Sequence, residues 1–281
     1  MRVFLSVIAG VALLVTTLDA HRQKSPKTDT NSIVRAATEY LERYQREFAS
    51  LVAEEDYVQT AFVTWTRKPT IRRIRGELFL AYLPADRTWI AVHDVAEVDG
   101  APVPEAGSVR GLLLDGAWRP VAARVAESNA RYNIGAISRN INEPTFALKI
   151  FEPQRIKGFK FDRADVQKRP DQPPLVTLQF VERARPTIVK APGGEPIFST
   201  GELVVEAGSG RILKTTMRFD KTPVEAQQQT EYAMDERLGL LVPVLYTESY
   251  VSRSGVTLSE TTTCEARYTH YRRFAATGRI K

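Results

Sequence analysis

Residues 32–55 read SIVRAATEYLERYQREFASLVAEE, residues 57–66 read YVQTAFVTWT, and the change of pattern between them decides the fold. In the first stretch apolar residues recur every three or four positions, which is the period of one face of an α-helix. These residues are Val34, Ala37, Leu41, Tyr44, Phe48 and Leu51. In the second stretch β-branched and aromatic residues dominate and the period falls to two. The sequence therefore predicts an amphipathic helix over 32–55 that packs its apolar stripe against a sheet.

Strand patterns dominate the rest of the chain. Strands are predicted at 57–66, 75–83 and 88–98, with the turn residues Pro84-Ala85-Asp86 between the last two. From residue 159 onward apolar and polar residues alternate again. The predicted strands of this part are 176–180, 201–206, 213–219, 225–234, 240–250 and 257–274. Short turns such as Gly208-Ser209-Gly210 join them, which predicts an antiparallel sheet.

A short helical insertion is predicted between the two groups of strands, over about 117–152. Val121, Ala122 and Val125 fall on one helical side, and a second short helix at 145–151 is stopped by Pro153. The order of elements indicates an α+β fold. A long antiparallel sheet and a single apolar helix stripe bury each other if the sheet curls around the helix. We therefore expect a curved antiparallel sheet, an incomplete β-barrel, wrapped around the helix in one domain over 32–281.

The N-terminus has the layout of a secretory signal peptide. Arg2 precedes a charge-free apolar run from Val3 to Leu18, and Ala20 is a small residue at the cleavage point. The run is shorter than the roughly 20 residues that span a bilayer, which disfavours the alternative of an uncleaved anchor. We expect residues 1–20 to be removed near Ala20, residues 21–31 to form a flexible leader, and the mature chain to be periplasmic or secreted.

Composition and charge exclude several classes of protein. The apolar fraction of 43% argues against a disordered chain, and one cysteine argues against a disulfide-stapled fold. The same cysteine and three histidines cannot supply the usual zinc ligand sets, so we expect no metal and no cofactor. The formal net charge is +6, carried by small basic groups such as Arg72, Arg73 and Arg75. Without interleaved aromatic residues these groups indicate a solvated face or an anionic membrane surface as partner, and no nucleic acid.

No catalytic motif occurs: the sequence lacks a Gly-x-Ser-x-Gly elbow, a His-Glu-x-x-His pair and a phosphate-binding loop. Cys264 and His270 share one face of a predicted strand but lie about 20 Å apart at roughly 3.3 Å per residue, so we expect a buried, inert thiol. His93 is expected to be a hydrogen-bonded structural residue. The carboxylates beside turns and helix ends are expected to be solvated. They are Glu54, Glu55, Asp56, Asp162 and Asp165.

Three stretches of the sequence resemble the periplasmic lipoprotein-carrier superfamily (LolA/LolB-like proteins). Residues 40–62 resemble its opening helix and first strand, and GELVVEAGSGRIL at 201–213 resembles one of its hairpins. The closing YTHYRRF at 268–274 is similar to the ends of uncharacterised exported bacterial proteins of this shape. The likeness covers about half of the chain, and its motifs are structural. It implies an incomplete β-barrel around helices with an apolar cavity, which the family uses for acyl chains.

The leading functional hypothesis is an exported, non-enzymatic binding or carrier module for an apolar or amphipathic, lipid-like or lipoprotein-like ligand. No catalytic residue is assigned. The apolar faces of two strands are the candidate lining of the ligand site: Val176, Leu178, Phe180, Leu213, Met217 and Phe219. The alternatives are an envelope hydrolase that uses dispersed carboxylates or His93, and a structural or interaction protein of the cell envelope. The volume between helix and sheet distinguishes these hypotheses, because polar walls favour an enzyme and dry walls favour a lipid.

Overall fold

The computed structural model of the protein describes residues 29–64, 68–137, 139, 143–191, 193–221, 223–254 and 258–274. The predicted signal peptide lies outside these ranges. The described residues contain three α-helices, α1 (Thr30–Phe48), α2 (Ser108–Leu114) and α3 (Trp118–Asn129), and short 3₁₀ segments at Ala130–Tyr132, Phe146–Phe151 and Ile156–Gly158. None of the helices in the described part of the chain is both long and apolar enough to cross a membrane.

Eleven of the strands form one curved antiparallel sheet. The strands are β1 (Ser50–Val63), β2 (Thr70–Leu83), β3 (Thr88–Val98), β4 (Ala101–Pro102), β5 (Phe159–Arg169), β6 (Gln172–Glu182), β7 (Val189–Lys190), β8 (Pro196–Ile197), β9 (Ser199–Glu206), β10 (Ile212–Lys221), β11 (Val224–Asp235), β12 (Leu240–Ser254) and β13 (Leu258–Arg273). Their order in the large sheet is β4-β3-β2-β1-β13-β12-β11-β10-β9-β6-β5, while β7 and β8 pair separately. The sheet does not close, which confirms the predicted α+β incomplete barrel.

The strand order explains why the insertion lies where it does. The first and last strands, β1 and β13, pair in the middle of the sheet, whereas β4 and β5 lie at opposite edges. Because β4 and β5 follow one another along the chain, residues 103–158 must connect the two edges. This insertion begins earlier than predicted, since α2 precedes residue 117, and it ends later, at Gly158.

Helix α1 lies on the inner face of the sheet, with five buried residues: Ile33, Ala37, Leu41, Tyr44 and Phe48. The prediction of a helix over 32–55 was wrong at its C-terminal end, because the helix stops at Phe48 and Ala49 has a φ of 50°. The Arg273 guanidinium donates to the backbone carbonyls of Glu47 and Phe48, which have no partner within the helix. At the other end, Thr30 and Asn31, predicted to belong to the leader, form the first turn.

The helix was predicted too long because β1 and β2 are buried on both faces. Leu51 and Ala53 pack in the cluster that contains α1, while Val52 packs with α2 and α3 on the opposite face. Leu78, Phe79 and Leu80 divide between the two clusters in the same way. A strand covered on both sides loses its polar alternation, and a short continuous apolar run cannot be distinguished from a buried helix by period alone.

The hairpin turn between β9 and β10 presses directly on α1. Gly210 has a φ of 74°, and a Cβ added there would lie 2.0 Å from the backbone oxygen of Ala36. Only glycine satisfies both conditions. The turn therefore fixes the position of the helix at this end of the barrel.

Candidate functional site

A cavity of about 240 Å³ lies at the β3 edge of the sheet, between the sheet, α3 and the chain that follows α3, which crosses here from the outer face to the inner face. Strands β1, β2, β3 and β12 contribute to its lining. Helix α3 lies along β3. On this edge of the sheet the two-residue strand β4 pairs with β3 only at Glu97 and Val98. The Asn129 side chain donates to the backbone carbonyl of His93 at 2.9 Å, so α3 also partly satisfies the free edge of β3. The cavity thus forms where the sheet is covered by the insertion and not by α1.

One wall of the cavity is apolar. It is formed by Ile74, Ile90, Val92, Val95, Val125 and Ala126. A second cavity of about 230 Å³ adjoins it and shares His93, Val95, Val125, Asn129 and Tyr132. Each volume is somewhat below the range of about 300–1,000 Å³ that small-molecule sites occupy.

The opposite wall carries a buried polar network. Glu248 on β12 accepts hydrogen bonds from the hydroxyls of Tyr246, at 2.7 Å, and Tyr57, at 3.2 Å. Burial raises the pKa of the Glu248 carboxyl, against the lowering effects of these tyrosines and of Arg139. A buried carboxylate without hydrogen-bond partners destabilises the folded chain, and this network supplies Glu248 with such partners.

Arg139 joins the insertion to this wall. Its guanidinium donates to Gln59 Oε1 at 2.5 Å and to the backbone carbonyl of Ile134 at 2.9 Å. Gln59 Oε1 also accepts from the backbone N–H of Ile134. Arg139 is buried, and its Nε has no hydrogen-bond partner among the described residues.

Glu55 and His93 form a second polar pair in the same cavity. Glu55 Oε2 lies 2.7 Å from His93 Nδ1, and the Glu55 side chain is only 5% exposed. The other oxygen, Oε1, is buried and finds no hydrogen-bond partner in the described part of the chain. The prediction that Glu55 is solvated was therefore wrong, because residue 55 belongs to a strand and points inward. The prediction that His93 is hydrogen-bonded is confirmed.

The neighbouring carboxylates behave as predicted. Glu54, on the outer face of β1, is exposed and lies 2.9 Å from His270 Nδ1. Asp56, Asp162 and Asp165 are also exposed. The expectation that Cys264 and His270 share a face was wrong: Cys264 is buried, while His270 is exposed and has a φ of 53° next to an irregularity in the β1–β13 pairing.

The six predicted lining residues lie elsewhere. Val176, Leu178, Phe180, Met217 and Phe219 are buried in the main core, and Leu213 is half-buried against it. None of the six contributes to the lining of the cavity beside α3. Their role in ligand binding stays a prediction, as does the expectation that the chain needs no metal or cofactor.

Sequence reasoning missed the residues that the structure brings together: Glu55, Gln59, Arg139 and Glu248. A signal for two of them existed. Gln59 lies in phase between the inward residues Tyr57 and Ala61, and Glu248 lies in phase between Tyr246 and Tyr250. A polar residue at an inward position of an apolar strand predicts a buried polar site. Arg139 carried no such signal, because it lies outside the helices and strands.

No protein-family model matches the sequence, and no curated protein matches it. Among solved structures, the chain is similar to a Vibrio parahaemolyticus domain assigned to outer membrane lipoprotein sorting, at 11% identity and a TM-score of 0.35, over 85% of this chain and 92% of that one. It is also similar to a DUF1329 family protein from Desulfovibrio piger, at 9% identity and a TM-score of 0.35, over 86% and 93% of the two chains. Lipovitellin matches at 8% identity and a TM-score of 0.32, over 83% of this chain and 26% of that one. Because these likenesses are distant, the fold described above rests on this chain's own strand pairing.

Proposed function

We propose that the protein is an exported, non-enzymatic binding or carrier module for an amphipathic, lipid-like ligand. One observation carries the proposal: the cavity beside α3 has an apolar wall and, facing it, a buried polar wall. An alkyl chain would contact Ile74, Val95 and Val125, and a polar head group would contact the wall of Glu55 and Glu248. This division into an apolar body and a few polar groups is typical of small-ligand sites.

The apolar part of the proposal follows from the hydrophobic effect. Each methylene group transferred from water into such a cavity contributes about 0.8 kcal/mol. Most polar groups of this wall are held by hydrogen bonds within the protein, so a ligand would meet a site that needs little rearrangement. The net charge of +6 supports the further proposal that the carrier approaches anionic membrane surfaces.

A cavity-blocking variant tests this proposal. Ala126 lines the cavity from α3, and its replacement by Trp would fill the space beside Val125. Ala123 and Ala126 are both exposed on this helix, but Ala123 is not part of the lining, so Ala123→Trp is the matched control. With dodecanol as the probe in titration calorimetry, we expect binding to wild type and Ala123→Trp and no binding to Ala126→Trp. Equal binding to the two variants would place the ligand site elsewhere.

Export is tested separately. The charge-free run from Val3 to Leu18 supports cleavage near Ala20. Mass spectrometry of protein from the periplasm should find a chain that begins close to residue 21. An intact Met1 on a cytoplasmic pool would contradict export.

A hydrolase is the second candidate, because the Glu55–His93 hydrogen bond lies in the same cavity as a buried carboxyl with a raised pKa. A histidine oriented by a carboxylate is a familiar general base. Hydrolysis of p-nitrophenyl dodecanoate that is lost in His93→Gln and retained in His270→Gln would favour the enzyme over the carrier.

A further inference from the structure

We propose, on the basis of the ligand site above, that its polar wall selects an amphipath with a protonated amine as its head group, and that Glu55 is the residue that receives it. The proposed function requires only an amphipathic ligand. This inference adds the sign of the head-group charge and the atom that binds it.

Glu55 has one carboxylate oxygen that is not engaged. Oε2 is hydrogen-bonded to His93 at 2.7 Å, while Oε1 is buried and has no partner within hydrogen-bond geometry among the described residues. The Tyr268 hydroxyl, which interacts with Glu55, is likewise buried and has no partner within that geometry among the described residues. Strand alternation fixes Glu55 on the inner face between Ala53 and Tyr57, both buried. A buried carboxylate oxygen without a partner is costly, and a cationic donor is the partner that compensates it best.

The charges of the lining also favour a cation. Among the described residues, three carboxylates line the cavity, Glu55, Glu143 and Glu248, and Arg139 and His93 are the lining residues that can carry a positive charge. Glu143 pairs with Lys149, which lies outside the lining, at 2.7 Å. Arg139 lies close enough to Glu248 to lower its pKa. Glu55 is hydrogen-bonded to His93 and interacts with the Tyr268 hydroxyl, so no Lys or Arg side chain of the described lining is paired with it.

An aromatic ring also lies beside Glu55. Tyr57, two residues along β1 on the same face, lines the cavity, and the faces of tyrosine rings attract cations within about 6 Å. The other lining tyrosine, Tyr132, already has the Arg131 guanidinium 4.8 Å from its ring centre. For an anionic head group, the permanent cation of the described lining is Arg139, whose Nη1 and Nη2 already donate to Ile134 and Gln59 and whose Nε alone has no partner among the described residues.

Three amphipaths of equal chain length separate head-group selection from chain binding: dodecylamine, dodecanol and dodecanoate, titrated calorimetrically at pH 7 below their aggregation limits. We expect wild type to bind dodecylamine about tenfold more tightly than dodecanoate, with dodecanol between them, as one charge-assisted hydrogen bond allows. Equal affinities, or a preference for dodecanoate, would overturn the inference while leaving the proposed function intact. Binding of none of the three would overturn the proposed function itself.

A matched pair of variants locates the selecting atom. Glu55→Gln should weaken dodecylamine binding about tenfold and leave dodecanol binding unchanged. Glu54→Gln removes a carboxylate one residue away, on the outer face and likewise beside a histidine, so it should change neither affinity. An unchanged preference in folded Glu55→Gln would overturn the role of Glu55. If Glu55→Gln does not fold, the wild-type ratio of affinities decides: a ratio near ten supports the inference and a ratio near one contradicts it.

Discussion

The inner face of strand β1 is covered by α1 at one end and by the insertion at the other, and the inward residues at the two ends differ. Leu51 and Ala53 belong to the closed apolar cluster around α1. Farther along the same face, Glu55, Tyr57 and Gln59 line the cavity under the insertion. The backbone alternation is the same in both parts, so the difference lies in the side chains alone. The inner face therefore combines an apolar end closed around α1 with a polar end that borders a cavity.

The aromatic contacts show how completely the helix end is sealed. Phe48 packs edge-to-face against Trp89 at 4.9 Å between ring centres, and Tyr44 lies 5.7 Å from the same ring. The Tyr44 hydroxyl donates to the backbone carbonyl of Leu241. Both ends contain buried polar atoms without partners among the described residues: Trp89 Nε1 at the helix end, and Glu55 Oε1 and Arg139 Nε at the insertion end. The ends of this sheet face therefore differ in packing: one is closed around α1, and the other borders the cavity that we propose as the ligand site.

The largest expected effect is at the sealed end. Phe48→Ala removes a fully buried ring, and we expect the free energy of unfolding to fall by about 3–5 kcal/mol. Urea unfolding of the mature chain measures this. Phe62, on the same sheet but 43% exposed, is the control, and Phe62→Ala should change stability by no more than about 0.5 kcal/mol. Similar losses in the two variants would contradict the packing of α1.

Arg139→Ala should have the next largest effect. It leaves Gln59 Oε1 and the Ile134 carbonyl with fewer hydrogen bonds in a buried setting, and we expect a loss of about 2–3 kcal/mol. Arg131 is exposed at the start of the same segment, so Arg131→Ala should cost about 0.5 kcal/mol or less. If Arg139→Ala were no more harmful than the control, the insertion would not be anchored through this residue.

Glu248 should give the insertion end a dependence on pH. Burial raises its pKa above the usual 4.5, so protonation favours the folded chain. This stabilisation is complete below pH 4.5 and is lost as the pH rises through the raised pKa. Because Gln imitates the protonated form at every pH, the stability of wild type relative to Glu248→Gln should fall across that interval, by about 1.4 kcal/mol if the folded pKa is one pH unit higher. A difference that rises with pH would contradict this sign.

The smallest expected signal is at Cys264, which pairs with Gln59 and Glu248 across neighbouring strands. Burial raises the pKa of its thiol to about 12, so almost no reactive thiolate forms at neutral pH. We expect no labelling by a thiol reagent in the native state and complete labelling in urea. Rapid labelling of the native protein would show that solvent reaches Cys264 and would contradict its burial.

The architecture was predictable from the sequence where a helix or strand has one buried face and one solvent-exposed face. The stripe of α1 from Ala37 to Phe48, the hairpin at 208–210 and the alternation of β6 over 176–180 follow such patterns, and the structure confirms them. Ile33, and not Val34, is the buried residue at the start of the stripe. The prediction was wrong where β1 is buried on both faces, since the run Leu51-Val52-Ala53 continued the period of the helix. It also missed α2, whose seven residues are too few to show a period.

The site was less predictable, because it depends on contacts between distant parts of the chain. Glu55 and His93 are 38 residues apart, and Gln59 and Arg139 are 80 apart. Glu54, Glu55 and Asp56 are three consecutive acidic residues, and only the strand assignment shows that the middle one points inward. The local sequence pattern therefore predicts the sheet. The polar wall can be identified only when the pairing of the strands is known.

The central claim is that the insertion end of the inner face holds an amphipathic ligand. Native mass spectrometry of the mature protein from the periplasm tests it most directly, with Ala126→Trp prepared in parallel. We predict a bound small molecule of amphipathic character that is present in wild type and in Ala123→Trp and absent from Ala126→Trp. No bound molecule in wild type, together with no thermal stabilisation by dodecylamine, dodecanol or dodecanoate, would contradict the claim.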